Sequence, residues 1–220
     1  VFKKTKYIYI QHSPVGLIKI FRDNALTNFD VVQVVNTFQK NDLINISKRK
    51  NKKIKAWQGK YLFLGDENNE KFSFNINKQE RKKILIAPTW GTDFFNLNIH
   101  LTIKKNLNPS EYDIFIRPHN MSILNNKNLI SDLIQNNFQI SKGKINFNQY
   151  DLLITDWSGL YIEFAKINRI KSILIETKDK ILNDKFYEYK DDSIDTFARN
   201  DLGKILLTNS VLKPFITDIT

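Results

Sequence analysis

Four short stretches place residues able to move a proton or bind an anion beside small, turn-forming neighbours. They are His12-Ser13-Pro14, Pro88-Thr89-Trp90-Gly91, Arg117-Pro118-His119 and Thr155-Asp156-Trp157-Ser158-Gly159. Two of the chain's three histidines fall in them. An imidazole titrates near neutrality, so it can take a proton from a hydroxyl or donate to a phosphate oxygen. Arg117 offers a permanently charged, bidentate donor that suits phosphate. Pro118 removes a backbone donor and stiffens the turn. The last stretch follows the apolar run Leu152–Ile154 and runs into a helical pattern. A helix starting near Ser158 would leave first-turn N–H groups pointing outward, with Ser158 as N-cap and small residues admitting an anion. An ordinary capped helix is the equal alternative, because neither a Walker lysine nor G-x-G-x-x-G is present. For His119 the plain alternative is a structural hydrogen bond. For His12 the reading is a base or a substrate contact. His100 lacks such company and reads as structural or exposed. Asp156 and Glu163 do not read as a glycosidase pair, since Glu163 falls on the following helix. No metal-ligand spacing and no G-x-S-x-G elbow appears.

Buried strands are expected to carry these stretches. Apolar runs at 7–11, 30–35, 61–65, 83–88, 113–118, 151–155 and 172–176 are rich in Ile, Leu, Val and Phe. They do not alternate cleanly, as expected of parallel strands covered on both faces. Helix-length segments at about 94–107, 122–137 and 159–168 lie between them. Strands alternating with helices predict a doubly wound α/β fold, in which ligands collect beyond the carboxyl ends of the strands. All four stretches sit at such ends. The polar segment 66–82 suggests a boundary. Residues 1–80 then form the end of a first, basic α/β unit, and residues 81–220 a fuller second one.

The chain has 220 residues, 41% of them hydrophobic, enough to bury a core. It has no cysteine, which excludes disulfides and Cys-ligated metals. No run approaches the ~18 apolar residues of a membrane span. Residue 1 is Val, so the chain reads as a piece of something longer, and an upstream targeting segment stays open. Residues 1–83 hold 18 Lys and Arg against 7 Asp and Glu, whereas residues 84–220 hold 16 of each. The whole net charge of +11 therefore lies in the first part. Much of it is the run Lys48, Arg49, Lys50, Lys52, Lys53 and Lys55. Such a run is either a solvated face or an attractor for a polyanion, anionic lipid or a phosphate-rich polymer. Nucleic acid is not expected, since no interleaved aromatics and no nucleic-acid-binding motif accompany it.

Taken together, the stretches resemble the CDP-glycerol glycerophosphotransferase family, the primases and polymerases of teichoic-acid-like polymers. That family carries His-Gly-Thr-Pro, Ala-Pro-Thr-Trp, Arg-Pro-His and Thr-Asp-Tyr-Ser-Ser in this order. Here stand HSP at 12–14, APTW at 87–90, RPH at 117–119 and TDWSG at 155–159. The segment 29–43, FDVVQVVNTFQKNDL, is similar to the family's strand after its first histidine. The likeness spans roughly residues 7–205. Two departures stand out: the first motif has lost a residue, and Gly159 replaces a serine.

The resemblance implies a GT-B-like architecture of two Rossmann-like domains, the first incomplete in this chain, with the active site between them. It implies His12 and His119 as the catalytic histidines. The donor site falls on Asp156, Ser158 and Gly159, with Thr89, Trp90 and Arg117 lining or orienting it. The reaction implied is transfer of glycerol phosphate from CDP-glycerol to a hydroxyl, releasing CMP. The partners are a nucleotide-activated polyol donor and a lipid-linked or phosphate-rich polymer acceptor. An anionic membrane surface would be met peripherally from the cytoplasmic side through the Lys48–Lys55 run. CDP-ribitol or another activated polyol or sugar remains open as donor, as do acceptor identity and a divalent metal. The rival readings are another GT-B nucleotide-sugar glycosyltransferase and a non-catalytic module that binds polyanions.

Overall fold

The computed structural model describes residues 5–60, 81–170, 172–189 and 194–207. The chain divides into two units, Val1–Asn68 with Lys180–Ala198, and Asn69–Asp179 with Arg199–Thr220. The strand expected at 61–65 lies outside the described residues, as does nearly all of the linker expected at 66–82.

The first unit holds a three-stranded, all-parallel sheet of β1 (Ile8–Tyr9), β2 (Val31–Val34) and β3 (Lys55–Gln58), in that order. Helix α1 (Leu17–Ile20) follows β1, and α2 (Thr37–Arg49) joins β2 to β3. The apolar core gathers Val32 and Val34 of β2, Leu43 and Ile46 of α2, and Leu17 and Ile18 of α1. Asn36 starts α2 by accepting from the Gln39 N–H at 2.8 Å. Lys48 and Arg49 occupy its last turn, where the helix dipole favours cations. Residues 180–189 return to this unit: the Leu182 N–H donates to the Lys19 carbonyl at 3.0 Å, and the Asn183 amide donates to the Ile18 carbonyl at 2.8 Å.

The second unit holds six parallel strands: β4 (Lys82–Ile86), β5 (Tyr112–Ile116), β6 (Gln139–Ile140), β7 (Leu152–Thr155), β8 (Ser172–Glu176) and β9 (Gly203–Leu207). Their order across the sheet is β6-β5-β4-β7-β8-β9. The helices are α3 (Ile99–Asn106), α4 (Asn120–Asn125), α5 (Leu129–Gln135) and α6 (Leu160–Asn168), while α7 (Ile194–Leu202) begins in the first unit's last segment and enters the second at Arg199. The α/β fold with parallel sheets is thus as the alternating pattern implies. All four residues of β7 are buried, as are the first four of β8, as expected of parallel strands covered on both faces.

The segment 29–43, likened to a strand, is strand β2 followed by the start of helix α2, and three of the expected helices also depart from the sequence reading. The single helix expected over 122–137 is two. Asn126 breaks it by folding its side-chain oxygen back onto the Asn128 N–H at 3.1 Å, a local bond that competes with the helix. The helix expected from 94 starts only at Ile99, after Asn98 takes a left-handed conformation with φ 52°. The helix expected to start at Ser158 starts at Leu160, and its N-cap residue is Gly159.

Phe164 of α6 is fully buried, with its ring edge-on to Phe147 at 5.9 Å. Removing a buried aromatic ring leaves a cavity that costs about 3–5 kcal/mol. Phe164→Ala is therefore expected to lower the urea midpoint by a corresponding amount with an unchanged m-value, and denaturant titration followed by circular dichroism checks it.

Candidate functional site at the switch point

Numbered by its own strands, the six-stranded sheet has the order 3-2-1-4-5-6. The crossovers from β4 proceed to one side and those from β7 to the other. Between two such neighbours the loops diverge and leave a crevice at the carboxyl ends, the usual ligand position in these folds. Ala87-Pro88-Thr89-Trp90 ends β4, and Asp156-Trp157-Ser158-Gly159 ends β7, so both flank that crevice.

Asp156 ties the two ends together. Its carboxylate accepts from the Thr89 N–H and from the Thr92 hydroxyl, each at 2.7 Å. One residue earlier, the Thr155 hydroxyl donates to the Ala87 carbonyl at 2.6 Å. Asp156 is fully buried. Burial pushes its carboxyl above the ordinary value, against the Thr89, Thr92 and local backbone donors that favour the charge. Asp156 thus fixes the loops from within, and its N–H and O–H donors are the polar groups that burial there requires.

Arg199 of α7 holds the same turn from behind. Its Nη1 donates to the Asp156 carbonyl at 2.7 Å, and its Nη2 pairs with Glu176 at 2.9 Å. The guanidinium lies 3.8 Å from the centre of the Trp157 ring. The Trp157 indole N–H donates to the Thr177 carbonyl at 3.1 Å. Nothing in the local sequence marks Arg199, which sits 43 residues beyond Asp156.

Downstream of this clamp, Ser158 and Gly159 lead into α6. Gly159 supplies no side-chain cap, and the Ser158 hydroxyl accepts from the Leu160 N–H at a long 3.4 Å. The helix start is thus built of small residues without a tight side-chain cap, a geometry that suits an anion.

Arg117 and His119 end the neighbouring β5. The Arg117 guanidinium donates to the Gly143 carbonyl at 2.6 Å and reaches the Ser141 carbonyl at 3.5 Å, so it also braces the loop after β6. His119 is exposed and caps α4: its Nδ1 accepts from the Met121 N–H at 3.1 Å. A backbone amide can only donate, so the neutral ring carries its proton on Nε2. The His119 ring is 6.2 Å from that of Trp90, tilted by 39°. Trp90 precedes Gly91, whose φ of 80° allows the chain to turn away.

His12 belongs to the first unit. It is exposed at the end of β1, and its Nδ1 lies 2.7 Å from the Tyr9 hydroxyl oxygen. The chain after it is held by α2. The Asn36 amide donates to the Pro14 carbonyl at 3.1 Å. The Gln39 amide donates to the Ser13 and Val15 carbonyls at 3.1 and 2.8 Å. Asp42 accepts from the Leu17 N–H at 2.6 Å. These three side chains recur every third residue and so share one helix face. All three lie in the segment 29–43, but the sequence does not single them out, because polar residues on a buried face carry no hydrophobic periodicity.

The basic run is divided between tasks. Arg49 pairs with Glu188 and lies over the Tyr189 ring at 5.0 Å. Lys50 pairs with Asp23, and Lys52 donates to the Thr27 carbonyl. Lys48, Lys53 and Lys55 are exposed. His100 is buried between Phe95 and Phe138, and burial lowers its pKa, in keeping with a structural place. Among the described residues no cluster of three His, Cys, Asp or Glu is placed to hold a metal. Among them, too, no helix is long and apolar enough to cross a membrane.

The parallel sheet and its strand order define a Rossmann-like α/β protein with polar residues gathered at the switch point. Residues 63–180, just over half of the chain, match the family of CDP-glycerol:poly(glycerophosphate) glycerophosphotransferases, and the protein belongs to that family of transferases. The family's description names CDP-glycerol as donor and a poly(glycerophosphate) as acceptor. No curated protein matches the chain.

The buried carboxylate gives a pH test. Because its folded pKa lies above the unfolded one, the folded state holds the proton more tightly, and this group's stabilising contribution is lost as pH rises from about 3.8 through the folded value. Asp156→Asn abolishes that loss and keeps an acceptor for Thr89. The stability of Asp156→Asn relative to the natural protein is therefore expected to rise with pH across the window. Asp156→Ala removes the carboxylate that accepts from the buried Thr89 N–H, at about 1–3 kcal/mol, and from the part-buried Thr92 hydroxyl, at less. Urea unfolding of all three proteins between pH 4 and 8 checks both statements.

Proposed function

We propose that the protein transfers glycerol phosphate from CDP-glycerol to a hydroxyl of a lipid-linked or phosphate-rich polymeric acceptor, releasing CMP, in the synthesis of a teichoic-acid-like surface polymer. One observation carries the reading. In a chain of this family, APTW, RPH and TDWSG end three adjacent strands at the switch point of a dinucleotide-type sheet. Chain separation gives no reason for that convergence, and a donor diphosphate site does.

In this reading the two units are the halves of a GT-B-like enzyme, the basic first unit on the acceptor side and the second on the donor side. Ser158 and the first-turn N–H groups after Gly159 hold the diphosphate. His119 donates its Nε2–H to the phosphate that departs with CMP, in keeping with the tautomer set by Met121. Trp90 lines the donor pocket beside it. Asp156, Thr89 and Arg117 act by position: their polar groups bind the loops that carry the site. His12 takes the proton of the acceptor hydroxyl. The oxygen then bonds to the phosphorus bearing glycerol, and the bond from that phosphorus to the bridging oxygen breaks. Positioning and charge stabilisation supply most of the rate in such transfers.

The exposed Lys48, Lys53 and Lys55 draw in the polyanionic acceptor or the anionic inner face of the cell membrane. Attachment is then peripheral and cytoplasmic. Raising salt from about 0.05 to about 0.5 M shrinks the Debye length severalfold. It is expected to release the protein from phosphatidylglycerol vesicles in a flotation assay, and salt-insensitive binding contradicts this part of the reading.

The test of the transfer is CMP release from CDP-glycerol with crude membrane lipid as acceptor. His12→Ala is expected to lower it by about 10²–10⁴-fold, the worth of general base assistance, and His119→Ala by about 10²–10³-fold, the worth of one hydrogen-bond donor to developing charge, while folding persists. Release of nucleotide from a UDP-sugar but not from CDP-glycerol would replace the donor. The absence of release from either, with full tolerance of His119→Ala, would leave a binding module.

A further inference from the structure

The two histidines differ in what holds Nδ1, and the difference sorts their chemistry. His119 faces a backbone N–H, which can only donate. His12 faces the hydroxyl of Tyr9 at 2.7 Å, which can donate or accept. We propose that Tyr9 is a positioning residue for His12: it takes the Nδ1–H on its phenol oxygen and so leaves the Nε2 lone pair to act as the base. The proposal rests on the transfer reading given above.

The phenol is placed for that task. Tyr9 lies in β1, paired with Val32 of β2, three residues before His12. Its ring is wedged edge-on against Phe21 and Phe29, both at 5.3 Å between centroids. The hydroxyl therefore has little freedom to leave the imidazole. Burial raises the pKa of the phenol, which keeps it neutral and unfit to be the base itself. A neutral hydroxyl can still accept from Nδ1–H, both before and after Nε2 gains a proton. When the acceptor hydroxyl gives its proton to Nε2, the imidazolium keeps its Nδ1–H on the Tyr9 oxygen. The acceptor oxygen forms its bond to phosphorus, and CMP leaves with the electron pair of the broken P–O bond. An amide donor at Nδ1, as at His119, would oppose that imidazolium. A base oriented by a third group through its other nitrogen is a recurring arrangement.

Tyr9→Phe tests it, because phenylalanine preserves the ring contacts and removes only the oxygen. With three histidines in the chain, long-range proton–nitrogen NMR correlation of the intact protein reads each tautomer, and His12→Gln and His119→Gln assign the signals. The neutral His12 ring is expected as the Nδ1–H form in the natural protein. It should move toward the Nε2–H form in Tyr9→Phe, while His119 stays Nε2–H in both. In the CMP-release assay Tyr9→Phe is expected to lose about tenfold in kcat with KM for CDP-glycerol unchanged. An Nε2–H form of His12 in the natural protein, or a kcat within twofold in Tyr9→Phe while His12→Ala is inactive, overturns this proposal and leaves the transfer reading intact. Normal turnover by His12→Ala overturns both.

Discussion

The candidate site depends on one buried carboxylate. Asp156 sits just beyond the paired ends of β4 and β7, and without it the Thr89 N–H and the Thr92 hydroxyl would lose the carboxylate to which both donate. An apolar residue could fill the space but could not fix the loops, because dispersion has no direction. A carboxylate with two oxygens and directional donors sets both the distance and the angle between the strand ends. The cost is desolvation, which is why its pKa is raised in spite of those donors. Arg199 meets the other side of the same residue at its carbonyl and gives its second charge contact to Glu176. The cation thus does not neutralise Asp156 directly. It anchors the peptide and packs on Trp157, so the turn before α6 is held at backbone, carboxylate and indole.

The first unit solves a similar problem with neutral groups. The loop after His12 has three carbonyls turned inward, and Asn36 and Gln39 of α2 supply the amide donors for them. Gln39 also accepts from the Val35 N–H at 3.0 Å, so one buried amide serves both the end of β2 and the loop after β1. In both units a loop that carries candidate site residues is fixed by polar side chains from a different part of the chain. This leaves the loop's own small residues available to a ligand. It also means that the support lies far away in sequence.

That distance explains what the sequence disclosed. The strand ends were legible because each is local: an apolar run followed by Pro, Gly or a hydroxyl residue announces a buried strand and its turn. The α/β class followed from the same runs. Helix α2 was not legible as a helix, because its buried face carries Gln39 and Asp42 beside Leu43 and Ile46. Strand β3 was hidden in the basic segment, since an edge strand that exposes three of its four residues needs no apolar run. Strand β6, with two residues, has too few to show a period. Among the site's supports, Thr92 and Arg199 carry no local signature at all. Tyr9 was in plain view three residues from His12, but only the bend at the end of β1 brings its hydroxyl to the imidazole.

The charge run shows how composition can be right in sum and mixed in cause. The excess of positive charge in residues 1–83 suggested a single electrostatic feature. The structure assigns its members to different tasks. Lys48 and Arg49 complement the end of the α2 dipole, and Arg49 also bonds the returning segment through Glu188. Lys50 and Lys52 tie the start of the β3 approach to Asp23 and Thr27. Such partly exposed pairs add little stability each, but they fix where the side chains point. The charge they leave over is borne by exposed lysines on flexible stems, whose field reaches only about a Debye length, ~8 Å at physiological salt. A field of that reach cannot choose among polyanions by shape; it acts on any of them alike.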